Sequence, residues 1–141
     1  MFNRVLVGID FSEGSRTALA RAAAWAERLH LPLVAVHVVE HPEREMFRLY
    51  APMGDPAWFH EFEPKAQEVL NQWLAPYPGA KGLIRHGSAA KMLIAEADAR
   101  TLMVVGHLGH GALDAVFGST AERVVRGALG DVLVVRAGGG A

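Results

Sequence analysis

The stretch LMVVGHLGHGALDAVFGSTAERVV, residues 102–125, decides the fold, because a glycine-rich loop joins an apolar run to an amphipathic helical pattern. The run Leu102–Val105 is apolar without alternation, which indicates a strand buried on both faces of a parallel sheet. After the loop, apolar residues recur at helical spacing from Ala121 onward, behind the start signal at Ser119. A buried strand, a loop and a helix in that order are the repeating unit of an α/β protein.

The rest of the chain repeats this unit. Further short apolar runs, each typical of a strand, are Arg4–Ile9, Pro32–Val39, Gly82–His86 and Val132–Arg136. The run Gly82–His86 is short and mixed, which indicates an edge strand. Helical patterns fill the intervals, with expected starts near Ser12, Pro64 and Ser88.

The alternation predicts the fold class. Five strands separated by four helical patterns indicate an α/β fold with a single-domain, open, five-stranded parallel sheet, in which right-handed crossovers place helices on both faces. This is a Rossmann-like architecture. The 141 residues suit one domain, which we expect over residues 1–137, followed by a flexible tail at 138–141.

Composition excludes several classes of protein. Apolar residues make up 51% of the chain and charged residues 21%, as in a globular domain, and the net charge is −1. Without a basic excess, nucleic acid is not an expected partner. The chain has no cysteine, and the opening residues are neither a signal peptide nor a membrane span. We therefore expect a cytoplasmic protein with no membrane partner.

Three unusual features follow strands, and so converge on one edge of the predicted sheet. They are the glycine-rich loop, Asp10 directly after the first strand, and the long aromatic connection His41–Glu63 after the second. Open α/β sheets bind ligands in the crevice beyond the carboxyl ends of their strands. Asp10 is therefore a candidate ligand residue, with capping of the next helix as the alternative. The aromatic connection suits either a lid over that crevice or packing against the second helix or a dimer face.

The glycine-rich loop suits an anion. A helix N-terminus offers unpaired N–H groups and a positive dipole end, and glycines before it let phosphate oxygens approach the backbone. The hydroxyls of Ser119 and Thr120 are further donors, although Ser119 and Glu122 also have the spacing of a capping box. A flexible connector is the alternative interpretation. The loop is not a Walker A motif, because Ser119 stands where that motif has lysine.

No catalytic set or metal site emerges from the residue pattern. We find no Ser/His/Asp arrangement and no interpretable carboxylate pair. His107 and His110 lie three residues apart, but no third ligand is near them in the sequence. We therefore predict neither catalytic nor metal-ligating residues.

Several motifs resemble the universal stress protein family over nearly the whole chain: VLVGIDFS, VAVHVV, VVGHLGHG, GSTAERVV and VLVVR. Its ATP-binding members carry Gly, two residues, Gly, nine residues, then Gly-Ser or Gly-Thr. In this chain Gly109 follows Gly106 after two residues, but only eight separate Gly109 from Gly118. Asp114 stands where such proteins often have Arg or Lys. A carboxylate there opposes a polyphosphate unless a metal ion or an outward side chain relieves it.

The resemblance implies a site for ATP, ADP or AMP, with Mg²⁺ as an optional companion. The residues it assigns to the nucleotide are Asp10, Val38, Val105, Gly106, Gly109, Gly118, Ser119 and Thr120. Asp10 would face the ribose or a phosphate-bound metal, and Val38 would meet adenine through its backbone. Val105 and Gly106 would approach the ribose or the α-phosphate, and the other residues would hold the phosphates.

The resemblance also implies a homodimer paired through the last strand, Val132–Arg136, and a regulatory or binding role in a stress response. Two alternatives stay open. One is a nucleotide-independent homodimeric interaction module with a decayed glycine motif. The other is a slow ATP hydrolase or adenylate-handling enzyme.

Overall fold

The structure is a computed structural model, which describes residues 1–40, 57–107 and 118–136; over 57–62 it describes the backbone helix only. In chain order the elements are β1 (Arg4–Ile9), α1 (Glu13–Leu29), β2 (Leu33–Val39), α2 (Ala57–Leu74), β3 (Lys81–His86), α3 (Ala89–Glu96), β4 (Thr101–Gly106), α4 (Ser119–Gly127) and β5 (Val132–Val135). The predicted alternation of strands and helices is confirmed, and each strand lies within a residue of its predicted bounds.

All five strands are parallel and form one sheet in the order β3-β2-β1-β4-β5. The prediction that Gly82–His86 forms an edge strand is confirmed, since β3 lies at one edge and β5 at the other. The chain builds outward from β1 to β3 and then returns to place β4 on the other side of β1. The topological switch point, where open sheets of this kind bind ligands, therefore lies between β1 and β4.

Helices cover both faces of the sheet, as predicted. Leu19 of α1 and Leu70 of α2 pack on one face, and Leu93 of α3 and Val124 of α4 pack on the other. Each of these four side chains is buried. The strands supply both layers, because successive residues of β1 point to opposite faces.

The starts of α1 and α2 differ in how well they were predicted. Ser12 caps α1 as expected, and its hydroxyl accepts a hydrogen bond of 3.1 Å from the Ser15 amide. The prediction that Pro64 marks the start of the second helix is wrong, since α2 begins at Ala57 and contains Pro64. Proline removes one helical N–H donor. Because Pro64 is exposed, water can satisfy the carbonyl that loses this partner.

Some predictions fall on residues outside the described ranges. These are the tail at 138–141, Gly109 and Asp114 of the glycine-rich loop, and the connection His41–Glu63 apart from its helical end. Among the helices that the structure describes, none combines the length and the apolar character needed to cross a membrane.

Candidate functional site

A cavity of about 330 Å³ opens at the carboxyl edge of the sheet, on the face covered by α3 and α4. Seven of the eight residues assigned to a nucleotide line it: Asp10, Val38, Val105, Gly106, Gly118, Ser119 and Thr120. The eighth, Gly109, is outside the described residues. The structure thus brings together residues from four separate parts of the sequence, while their role in binding stays a prediction.

The cavity lies where β1 stops pairing with β4 at this edge and ends before β2. Its last residue, Ile9, pairs with His37, and β2 continues for two further residues. On the other side β1 last pairs at Val104 of β4, which continues to Gly106. By this register Ile9 lies level with Gly106, so β1 and β4 end together but do not pair over their last two residues, while β2 extends further. Asp10 lies at the base of the notch that this leaves above β1.

The N-terminus of α4 forms one wall of the cavity. Gly118 is its N-cap, and the Glu122 amide donates the first helical hydrogen bond to the Gly118 carbonyl at 2.9 Å. The predicted capping box of Ser119 and Glu122 is therefore wrong by one residue. The Gly118 amide donates to the His107 carbonyl at 2.9 Å. This hydrogen bond joins the two ends of the loop and fixes Gly118 as the N-cap, one residue before the predicted cap Ser119. Glu122 instead pairs with Arg126.

This shift leaves the first turn of α4 open. A helix cannot satisfy its first N–H groups internally, and here they belong to Ser119, Thr120 and Ala121, all of which line the cavity. Gly118 has no side chain to cap them. The Ser119 hydroxyl is also released from the capping role that the sequence assigned to it. Three residues with first-turn amides, two of which also carry hydroxyls, therefore line the same cavity.

The other two helices that begin at the cavity are already capped. At α1, Ser12 binds the Ser15 amide, and Asp10 Oδ1 accepts both the Ser12 amide, at 2.9 Å, and the Ser12 hydroxyl. At α3, Glu40 Oε1 accepts the Ala89 amide at 2.7 Å. Asp10 thus stabilises the start of α1, which was the alternative to a ligand role in the sequence analysis. It also lines the cavity. Of the three helix starts, α4 is the open one in the part of the chain described.

The remaining wall is apolar. Val36 and Val38 of β2, Val105 of β4 and Leu93 of α3 line it, and all four are buried at their positions in the core. An apolar wall with a few polar groups at its ends is the usual form of a small-molecule pocket. The Val39 carbonyl accepts the Gly87 amide on the β3 side. Since successive carbonyls of a strand alternate in direction, the Val38 carbonyl points toward the notch above β1.

The two described glycines of the motif have different reasons to be glycine. A Cβ at Gly106 would lie 3.1 Å from the carbonyl carbon and oxygen of Gly14, so close packing of α1 requires glycine there without any ligand. Gly118 has φ −59° and ψ 141°, which any residue adopts. Its lack of a side chain matters for access to the first turn of α4.

Sequence reasoning missed Glu40, which lines the cavity beside the residues it predicted. The available signal was its position two residues after Val38, since alternate residues of a strand share a face. Among the residues that the structure describes, no group of three or more His, Cys, Asp or Glu side chains is placed to hold a metal ion.

An open, parallel α/β sheet with a ligand-sized cavity at its switch point is typical of the Rossmann-like class of small-molecule-binding proteins. The chain belongs to the universal stress protein family, whose family model matches residues 1–136. No curated protein sequence matches the chain significantly.

Solved structures of similar fold agree with this assignment. The universal stress protein UspA from Lactobacillus plantarum is 23% identical, with a TM-score of 0.68 over 96% of this chain and 99% of that one. The hypothetical protein MJ0577 is 20% identical, with a TM-score of 0.78 over 99% of each chain. A universal stress protein solved in complex with cAMP is 23% identical, with a TM-score of 0.58 over 95% of this chain and 96% of that one.

Proposed function

We propose that this protein binds ATP or another adenine nucleotide in the cavity at the β1/β4 switch point. The phosphates lie at the open first turn of α4, and the base lies against the wall formed by Val36 and Val38. The uncapped start of α4 carries this proposal, because it is the described helix start at the cavity that offers amides to an anion. The negative side chain of Glu40, at the outer end of the apolar wall, favours one orientation of the ligand.

A structural relative supports the class of ligand. A universal stress protein of the same fold was solved in complex with cAMP, which is an adenine nucleotide. Cyclic AMP carries one phosphate, whereas the open first turn here offers three amides. We therefore favour a ligand with a longer phosphate chain, and titration with cAMP, AMP, ADP and ATP compares these directly.

Mg²⁺ fits this site as a companion of the phosphates. It retains several waters and binds through one or two carboxylates together with phosphate oxygens. Asp10 supplies a hard oxygen ligand at the base of the notch, and the described residues offer no complete protein cage. We therefore expect the metal ion to bind with the nucleotide rather than alone.

The role we propose is regulatory binding in a cytoplasmic stress response, with residues 1–137 acting as one domain. The cavity carries donors for an anion and an apolar wall for a base, and these are binding groups. The Ser12 hydroxyl does pair with Asp10 there, but it also caps α1, so turnover of ATP is not part of the proposal.

Ser119 gives a test of the α4 amides, because it is the first residue of the helix. Proline is favoured at this position, where its missing N–H leaves no helical bond unmade, and Gly118 already has dihedral angles that suit a following proline. Ser119→Pro removes the amide donor and the hydroxyl, whereas Ser119→Ala removes the hydroxyl alone. We expect Ser119→Pro to weaken ATP binding about 10- to 100-fold beyond Ser119→Ala, the loss of one hydrogen bond to a charged group.

Isothermal titration calorimetry with ATP measures both variants, and circular dichroism and thermal unfolding check that each has folded. Equal ATP affinities for the two variants would show that the amides of α4 do not bind the phosphates. Thr17→Ala, on the exposed side of α1, is a control for loss of a hydroxyl elsewhere.

We further propose a homodimer paired through β5, over Val132–Arg136. This strand lies at the edge of the sheet, where unpaired backbone groups can bond a second strand. The carbonyls of Asp131 and Val135 accept hydrogen bonds from β4 and its extension, at 3.0 and 2.7 Å. Because backbone groups alternate in direction along a strand, those of Val134 point to the free edge.

Val134→Pro is therefore expected to convert the dimer to a monomer while leaving the pairing of β5 with β4 intact. The variant loses an outward-facing N–H, and the ring of proline blocks approach of a second strand. Analytical ultracentrifugation measures the mass, with Val134→Ala as the matched control that keeps the N–H. A wild-type monomer, or a Val134→Pro dimer, would exclude pairing at this edge.

A further inference from the structure

Glu40 ends the apolar wall of the cavity with a carboxylate. It follows β2 directly, and Val36, Val38 and Glu40 all line the cavity, as expected for alternate residues of an extended chain. The wall against which the base is proposed to lie therefore changes from apolar to negatively charged at its outer end. The cavity-forming residues of β4 show no such change, since Val105 is followed by Gly106.

The side chain of Glu40 is held in place by α3. Its Oε1 accepts the Ala89 amide at 2.7 Å, and Ala89 is the first residue of that helix. Ser88, the N-cap of α3, forms no side-chain capping bond. Glu40, which follows β2, caps the helix instead. The positive end of the helix dipole attracts the carboxylate. With Oε1 bonded to the helix, Oε2 remains to accept a hydrogen bond from a ligand.

An ionised carboxylate accepts hydrogen bonds and donates none. The Val38 carbonyl, which points toward the same notch, is also an acceptor only. Two acceptors at one end of a cavity match a ligand that presents an amine, whose two hydrogens can satisfy both. They oppose a ligand that presents an oxygen, since an acceptor left facing another acceptor loses its partner.

We propose that Glu40 is a specificity-determining residue, which selects a 6-amino purine over a 6-keto purine by accepting a hydrogen bond from the exocyclic amine. This inference rests on the proposed nucleotide function and adds the reason for the choice of base. The α4 amides bind phosphates whatever the base is. The α4 end of the cavity therefore contributes affinity for any nucleotide, and the Glu40 end selects the base. Because Glu40 is exposed and water competes for its bonds, we expect the wild-type chain to bind ATP about 3- to 10-fold more tightly than ITP, which carries a keto group at position 6.

Glu40→Gln reverses the chemistry of this end of the cavity. The Ala89 amide is a donor, so it holds the oxygen of the new side chain and turns the NH₂ group toward the ligand. A donor then stands where an acceptor stood. We expect the variant to bind ITP more tightly than the wild-type chain does and ATP more weakly, with the ATP-to-ITP preference reduced to unity or inverted.

Calorimetric titration of the full chain with ATP, ITP, AMP and IMP measures this preference. Glu68→Gln is the matched control, because it removes the same charge from an exposed position on α2, which packs on the opposite face of the sheet. Glu40→Ala is a second variant that removes this acceptor without adding a donor. Because the Val38 carbonyl remains, we expect its preference for ATP over ITP to lie between those of the wild-type chain and Glu40→Gln.

The outcomes separate this inference from the function on which it rests. If the wild-type chain binds ATP and ITP equally, or if Glu40→Gln keeps the wild-type preference, Glu40 does not select the base although nucleotide binding stands. If the wild-type chain binds none of the four nucleotides, both proposals fail. A shift of the ratio in Glu40→Gln and not in Glu68→Gln supports the assignment.

Discussion

Gly118→Asp is expected to stabilise the protein without ligand and to abolish its binding of ATP. Aspartate is among the preferred N-cap residues, and its carboxylate would accept the amides of the first turn of α4. Capping and the helix dipole together predict a gain of about 0.5 to 1 kcal/mol in the free energy of unfolding. The same carboxylate occupies the proposed phosphate site and carries the wrong charge for it.

The loss of binding is expected to be large. Two like charges 4 Å apart oppose each other by about 4 kcal/mol at an effective dielectric constant of 20, which corresponds to roughly a 1,000-fold loss of ATP affinity. Thermal unfolding without ligand and calorimetric titration with ATP give the two measurements. Stability and binding should move in opposite directions, which general damage to the fold would not produce.

Gly118→Asn is the matched control. Its amide oxygen also caps the helix but carries no charge, so we expect similar stabilisation with a loss of ATP affinity of only about 10-fold. If both variants bind ATP as the wild-type chain does, the start of α4 is not the phosphate site. If neither stabilises the unliganded chain, the first turn is already capped.

Among the described glycines, Gly130 is the one at which substitution by alanine is expected to reduce the free energy of unfolding most. A Cβ at Gly130 would lie 2.9 Å from the Ala99 carbonyl oxygen, 3.0 Å from that of Thr101 and 3.1 Å from that of Asp98. These are backbone atoms, so no side chain can rotate away. We expect a loss of about 2 to 3 kcal/mol in the free energy of unfolding, measured by chemical denaturation.

The turn that Gly130 approaches is held firmly. Thr101 is fully buried, and its hydroxyl donates to Asp98 Oδ1 at 3.0 Å while accepting the Asp98 amide at 3.1 Å. The Arg100 amide donates to the same carboxylate at 2.8 Å. These hydrogen bonds, with that of Arg100 as the largest cause, hold the pKa of Asp98 below its ordinary value. The carbonyls around Gly130 cannot move apart without breaking them.

Gly127→Ala is the control for Gly130→Ala. A Cβ at Gly127 would meet only the Cδ1 end of Ile94, a flexible side chain, and alanine favours the helix that ends there. We expect a change in unfolding free energy within about 1 kcal/mol of zero. Equal losses for the two variants would contradict the argument that rigid carbonyls set the cost at Gly130.

Much of the fold could be predicted because local pattern and burial agree. The strand Arg4–Ile9 is apolar after its first residue, and β1 is the central strand, covered on both faces. The mixed run Gly82–His86 indicated an edge, where β3 lies. The start of α2 could not be predicted, since an exposed proline in a helix depends on water reaching the broken hydrogen bond, and local sequence does not report exposure.

The candidate site was predictable only in part. The rule that ligands bind beyond the carboxyl ends of strands was enough to group Asp10 with the start of α4, and the family resemblance added Val38. The position of Glu40 two residues after Val38 could have added it to this group, but its bond to the Ala89 amide could not be predicted, because that bond joins residues far apart in the sequence. Nor could the rule distinguish Gly106, required by the backbone of α1, from Gly118, which lies in ordinary backbone geometry.

The sequence by itself determined the order of strands and helices, the two-sided burial of the sheet and the family resemblance, since these depend on periodicity and short motifs. Only the tertiary structure decided which helix start remains open to an anion. One first-turn amide of α1, that of Ser15, is bonded to Ser12, and one of α3, that of Ala89, is bonded to Glu40. Among the described residues, no side chain bonds the first-turn amides of α4, which begins at Ser119 beside the cavity. The partners of these hydrogen bonds meet only in the folded structure, so the spacing of residues along the chain does not predict which amides are bonded.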